Sequence, residues 1–208
     1  ADLLVLTAEN QLNLGYPESA EALLSQASQL WPALDMETDL IKARVFLRSG
    51  RIQQGIDLLK KHDPVMLDYP LARPQRFHRE SSLLLSLFYA IRGDVDLAES
   101  YARQGIKIGR MLQSTFVRSV GFMRLGHALL LQSQNPFITN GVEQAMGYFR
   151  ESMENIDVTR IHVEPLWGMC RAMGYAGDIE GAEQLAAESL DIAKKAGDEW
   201  ISVLIQLS

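Results

Sequence analysis

The stretch GYAGDIEGAEQLAAESLDIAKK, residues 174–195, predicts the end of one helix, a tight turn and a second helix that runs back beside it. Gly177 suits the turn because glycine adopts the left-handed conformation without a steric penalty. Asp178 is a good N-cap, since its carboxylate can accept hydrogen bonds from free backbone N–H groups. An apolar stripe at three- and four-residue spacing follows, made of Ile179, Ala182, Leu185, Ala186, Leu190 and Ala193. This stretch therefore predicts a helical hairpin.

The same plan recurs along the chain. Hairpins are expected at about residues 2–31, 36–61, 77–112, 115–155 and 163–195, with a partial repeat at 199–208. Each second helix has a small residue at the matching inward position, and these residues recur every 35 to 47 positions: Ala20, Gly55, Ala98, Ala145 and Ala182. Two helices per period of this length are typical of an α-solenoid. We therefore predict one all-α domain over residues 1–208, a right-handed α–α superhelix of about five hairpins plus part of a sixth.

Prolines predict where the regular pattern is interrupted. Residues 65–76 contain Pro70 and Pro74, which cannot both lie inside a helix, so this segment is expected to be an irregular surface connection. A wider loop is expected at residues 133–140. Pro165 is expected in the first turn of a helix that starts near Val163, where its missing N–H costs nothing.

Composition narrows the function classes. The chain has 208 residues, 47% of them hydrophobic, and a formal net charge of −6. The negative charge argues against contact between this segment and a nucleic-acid backbone. No apolar run is long enough for a transmembrane helix, so no membrane partner is expected. A single cysteine, Cys170, suits a reducing compartment, and we predict a cytoplasmic location. Because the chain starts without Met and ends within an apolar run, we expect an excised part of a longer protein.

Motifs for catalysis are missing from the sequence. There is no phosphate-binding glycine loop and no nucleophile elbow, so no catalytic residue and no cofactor is predicted. His162 and Glu164 have the spacing of a zinc-deaminase element, but the required P-C-x-x-C is lacking. His78 and Glu80 could share a metal ion, yet no third ligand lies near them in the sequence. We therefore predict no metal site and no enzyme.

The turn chemistry favours one kind of repeat over the others. The intervals alone also allow HEAT or armadillo repeats. The glycine-containing turns and the small residues that follow them resemble tetratricopeptide (TPR) repeats: Gly93-Asp94 with Ala98, Gly177-Asp178 with Ala182, Gly15 with Ala20, Leu24, Ala27 and Pro32, and Gly50 with Gly55 and Leu59. Gly126 stands where that family has a small residue in the first helix. The resemblance covers nearly the whole chain, although most of the characteristic Trp, Leu-Gly and Tyr positions differ.

The stretched repeats, the Ala-rich helix and the sequence Gly197-Asp198-Glu199-Trp200 resemble a narrower group. They are similar to the helical-repeat region of the large ATP-dependent LuxR-type transcriptional regulators, the MalT-like group. That resemblance implies an ATPase module before the repeats and a helix-turn-helix module after them. It also implies that this region senses an effector small molecule or a regulatory protein. The alternative is a scaffold that holds a partner protein segment in its groove.

The resemblance to TPR repeats also implies where a ligand binds. In such solenoids the first helix of each hairpin lines the concave surface, so the groove residues are expected to be Glu9, Arg44, Arg48, Arg124, His127, Trp167 and Arg171. An arginine can bind a carboxylate or a phosphate, and a tryptophan can stack on a ring. Each of these side chains could instead serve packing or ion pairing within the protein. A sensor would need an enclosed pocket and a scaffold an open groove.

Overall fold

The computed structural model describes residues 2–31, 35–62, 76–132, 140–154, 156 and 158–207. Within these ranges the chain forms eleven α-helices and no strand. The helices are α1 (Asp2–Asn13), α2 (Pro17–Leu30), α3 (Asp35–Arg48), α4 (Ile52–Lys61), α5 (Arg76–Arg92), α6 (Val95–Met111), α7 (Thr115–Gln132), α8 (Gly141–Met153), α9 (Thr159–Ala176), α10 (Ile179–Lys195) and α11 (Glu199–Gln206). Consecutive helices pack as five hairpins, and α11 follows the fifth. The predicted all-α solenoid is confirmed.

The turn between α9 and α10 has the predicted geometry. Gly177 ends α9 in the left-handed conformation, with a φ of 86°. Its N–H donates to the carbonyl of Gly174, and the next N–H, of Asp178, donates to Met173 at 3.0 Å. The Asp178 carboxylate accepts a hydrogen bond of 3.0 Å from the N–H of Gly181. Two of the free carbonyls at the end of α9 and one free N–H at the start of α10 are therefore satisfied within the turn.

Two boundaries differ from the prediction. Helix α9 begins at Thr159, four residues before Val163, so Pro165 lies inside the helix and not in its first turn. Packing of α9 between its neighbours outweighs the loss of one intrahelical hydrogen bond at the proline. Arg76 was expected in the connection but opens α5, where it binds acidic residues. The rest of the predicted connection, and residues 133–139 of the predicted loop, lie outside the described residues.

The hairpins bury a series of separate apolar clusters along the stack. The predicted inward positions Ala20, Ala98, Ala145 and Ala182 are all buried, as is Gly55. Small residues at these positions allow neighbouring helices to approach closely. A Cβ at Gly55 of α4, for example, would lie 2.1 Å from the Phe88 ring of α5, in the next hairpin. Buried serines add hydrogen bonds between paired helices: Ser86 Oγ donates to the carbonyl of Ala98 at 2.8 Å, Ser189 Oγ to that of Val163 at 2.9 Å, and Ser119 Oγ to that of Ser152.

The stack of hairpins is curved. Each first helix (α1, α3, α5, α7 and α9) contacts the first helix of the next hairpin, and α9 contacts α11. Contacts between consecutive second helices are slight or absent in the described part of the chain. The layer of first helices is therefore the tighter one and forms the concave side. The expectation that first helices line the concave surface agrees with this arrangement.

Candidate interaction site on the concave surface

A cavity of about 280 Å³ lies on the concave side, where α3, α5, α7, α9 and the start of α11 converge. Most of its lining is apolar: Leu47, Leu83, Leu84, Leu87, Phe116, Val120, Met123, Ile161, Val163, Trp200 and Ile201. Six charged residues complete the lining: Arg44, Arg48, Arg124, Glu80, Glu164 and Asp198. The cavity is formed where four consecutive hairpins and the start of α11 stack, so no single hairpin contains it.

Glu9 binds two arginines at one side of the cavity. Its carboxylate accepts hydrogen bonds from Arg44 at 2.5 Å and from Arg76 at 2.7 and 2.9 Å. Arg76 Nε also donates to Glu80 at 2.8 Å. Hydrogen bonding from Arg76, together with the charge of Arg44, lowers the pKa of Glu9 from 4.5 to about 2. One carboxylate therefore joins α1, α3 and α5 through two arginines.

A second polar cluster lies between α7 and α9. Arg124 forms an ion pair with Glu164, and His127 Nε2 is 3.7 Å from the same carboxylate. Burial lowers the pKa of His127 well below its usual 6.5, and the charges of Arg124 and Arg171 act in the same direction. The imidazole is therefore neutral at pH 7. Its Nε2 makes no hydrogen bond with any described residue.

Arg48 bridges the two ends of the solenoid. Its guanidinium donates to the carbonyl of Leu12 and lies 5.4 Å from the centre of the Trp200 ring on α11. A Cβ added to Gly15, in the turn after α1, would lie 4.0 Å from the Cβ of Glu199. The start of α11 thus reaches the first two hairpins and closes one side of the cavity.

Comparisons with known proteins bear on this architecture. No protein-family profile and no curated protein matches the chain. Among solved structures, the chain is similar to the crystal structure of nearly identical TPR-like repeats from Podosopora anserina, described as those of a kinesin light chain. The match covers 94% of this chain and 95% of that one, with a TM-score of 0.59 and 16% sequence identity. The fold is a TPR-like α-solenoid.

The TPR-like solenoid brings some of the seven predicted groove residues to the cavity. Arg44, Arg48 and Arg124 line it, and Glu9 is bound to Arg44 beside it. The other three do not line the cavity. Trp167 packs on the α9–α11 core, Arg171 lies 5.3 Å from the centre of its ring, and His127 is buried 5.4 Å from that ring. Ligand binding by any of the seven stays a prediction.

Several lining residues of the TPR-like solenoid were not predicted, among them Glu80, Phe116, Glu164 and Trp200. Glu164 pairs with Arg124, whereas His162 Nε2 lies 2.9 Å from the carbonyl of Ile156, so the two residues do not form a shared site. A helical projection could have found Glu164, since it lies one turn before Trp167. Among the described residues, no group of three or more metal-binding side chains occurs. None of the helices described combines the length and apolar character that crossing a bilayer requires.

Proposed function

We propose that this chain is a protein-interaction module that holds a segment of a partner protein against its concave surface. TPR-like repeats commonly serve as interaction scaffolds, and curved solenoids provide extended concave surfaces for binding. The observation that carries the proposal is the cavity built from first helices of four consecutive hairpins together with α11. A surface assembled by stacking suits a ligand that runs along the stack, as a protein segment does.

The chemistry of the lining indicates what kind of segment binds. The three arginines and three acids of the lining balance in charge, and Arg44 and Arg124 already have carboxylate partners. Among the apolar lining residues, Phe116 is available to a partner because it is 45% exposed, whereas Leu83, Met123, Val163 and Ile201 are buried. We therefore expect the partner to contribute apolar side chains, as amphipathic helices do when they dock into grooves.

The regulator hypothesis is a finer proposal for the same surface. A regulatory protein or a small effector would bind there and favour one conformation of the solenoid over another. The attached ATPase and helix-turn-helix modules would respond to that change in conformation. A small effector needs a pocket that encloses most of its surface, typically about 300–1,000 Å³. The cavity here has about 280 Å³ and is open to the concave side, so a protein segment is the better match. The predicted non-enzymatic role and cytoplasmic location belong to both hypotheses and stay predictions.

Phe116→Asp tests the proposal, with Leu97→Asp as its matched control. Phe116 lines the cavity, whereas Leu97 does not, and their exposures are similar at 45% and 43%. We expect Phe116→Asp to reduce capture of specific partners from a cell lysate by roughly tenfold, because an anchor residue becomes charged. Leu97→Asp should capture them like the wild type. Quantitative mass spectrometry measures capture, and circular dichroism melting verifies that both variants fold.

Equal capture by the wild type and Phe116→Asp would contradict the proposal, as would equal loss in both variants. A small molecule that raises the melting temperature of the wild type, but not of Phe116→Asp, would favour the sensor hypothesis instead.

A further inference from the structure

Helix α6 has two faces of opposite character. Gly105 and Gly109 are buried against the neighbouring helices: a Cβ at Gly105 would lie 2.4 Å from Leu83, and one at Gly109 would lie 2.5 Å from the backbone nitrogen of Arg118. These close approaches determine which side of α6 faces the core. The opposite side carries three exposed cations at spacings of four and three residues: Arg103, Lys107 and Arg110.

The three cations form one wall of a groove between α6, α7 and α8. The groove has a volume of about 340 Å³, and Ile106, Phe122 and Leu125 form its apolar floor. The half-buried Tyr148 of α8 stacks on Phe122, with ring centres 6.0 Å apart and planes 16° from parallel. An aromatic edge is therefore available beside the row of cations.

The charges of this groove are incompletely paired. Arg103 binds Glu99, with Nε 2.8 Å from the carboxylate. The side chains of Lys107 and Arg110 form no ion pair or hydrogen bond with the described residues, and Glu151 is the one acid that lines the groove there. The cluster stands out because the chain as a whole has a net charge of −6.

We infer that this groove, lined by α6 and α8 away from the concave cavity, is a second interaction surface that binds an acidic segment of a partner protein. The carboxylates of the segment pair with Lys107 and Arg110, and an aromatic or aliphatic side chain of the segment contacts Tyr148. Charge complementarity of this kind steers association and determines which partners are accepted. A nucleic acid is the weaker match, because its continuous phosphate charge would meet Glu99, Glu151 and a negative protein surface.

The test uses a fluorescein-labelled peptide of acidic residues around one central phenylalanine, with fluorescence anisotropy as the readout. Lys107→Glu with Arg110→Glu reverses the charge of the groove. Lys194→Glu with Lys195→Glu, on exposed positions of α10, changes the net charge equally and serves as the control. We expect the groove variant to weaken binding at least roughly tenfold at about 150 mM salt, and the control variant to weaken it less than about twofold.

A second pair of variants, Lys107→Gln with Arg110→Gln, retains hydrogen-bonding capacity and should weaken binding to an intermediate degree while melting like the wild type. Replacing the central phenylalanine of the peptide by serine should also weaken binding. Equal weakening by the groove and control variants would overturn the inference, because net charge alone would then explain binding. So would unchanged binding in the groove variant, or tighter binding of a single-stranded oligonucleotide with the same dependence on Lys107 and Arg110.

Discussion

Glu9 is the residue on which three hairpins depend electrostatically. Its carboxylate is shared by Arg44 of the second hairpin and Arg76 of the third, and its side chain is 18% exposed. Ion pairs on a surface contribute little, but a carboxylate with several hydrogen bonds from two arginines in a partly buried site contributes more. The low pKa of Glu9 has the same cause, because the two arginines stabilise the charged carboxylate in the folded state.

Glu9→Gln should therefore lower the free energy of unfolding by about 2 kcal/mol at pH 7, after allowance for solvent screening. The folded-state pKa of about 2 lies below the ordinary 4.5, so the contribution of Glu9 is fully present above about pH 4.5 and is lost as pH falls towards 2. The difference in the free energy of unfolding between the wild type and Glu9→Gln should therefore shrink as pH falls across this range. Urea denaturation at several pH values measures the difference.

Glu188→Gln is the control for that experiment, because Glu188 is exposed and forms no ion pair with the described residues. It should leave stability unchanged at every pH. A Glu9→Gln variant as stable as the wild type at pH 7 would show that the two arginines find other partners.

At the scale of elements, Phe149 joins three helices. Its fully buried ring, on α8, lies between Gly126 of α7 and Gly168 of α9. A Cβ at Gly126 would lie 2.7 Å from the ring, and one at Gly168 would lie 2.4 Å from it. The fourth and fifth hairpins therefore approach through an aromatic ring that packs against two bare helix backbones.

Gly168→Ala should destabilise the protein by about 1–3 kcal/mol, because the added methyl group overpacks the site and displaces the Phe149 ring. Gly147→Ala, on α8, is the matched control, since no heavy atom lies within 4 Å of its added Cβ. That change should keep or raise stability by up to about 1 kcal/mol, as alanine favours the helix. Thermal melting compares the two. Equal melting temperatures of the two variants would mean that the packing of the Phe149 ring does not require a glycine at position 168.

At the scale of the whole molecule, the curvature brings α11 back to the second hairpin. Trp200 and Arg48 are in contact although most of the chain separates them in sequence. Few side chains hold α11 against the second hairpin. We therefore expect α11 to detach from the stack more easily than the helices that have neighbours on both sides.

Trp200→Ala should therefore increase the rate of amide hydrogen exchange in α11 by roughly tenfold, because it removes a cation–π contact and buried apolar area. Exchange in α6, which does not contact Trp200, should be unchanged. Val203→Ala is the control, since Val203 lies on the same helix but is 50% exposed. If both variants exchange alike, the contact with Arg48 does not hold α11.

What the sequence by itself determined is local. A glycine followed by an N-capping aspartate ends one helix and starts the next, as at Gly177 and Asp178, and helical periodicity identifies the buried alanines. These signals act over a few residues, which is why the hairpin plan and the all-α solenoid could be predicted. The start of α9 could not, because packing outweighed the usual preference of Pro165 for a first turn.

Which side chains line the cavity was decided by the tertiary structure alone. Helical projection put seven side chains on the first helices, but it could not separate Arg48, which lines the cavity, from Trp167, which packs against the core. The partners of Glu9 and the contact of Trp200 with Arg48 depend on how much each hairpin rotates relative to the one before. Small rotations accumulate along a solenoid with irregular repeats, so side chains from distant hairpins meet at positions that no local pattern contains.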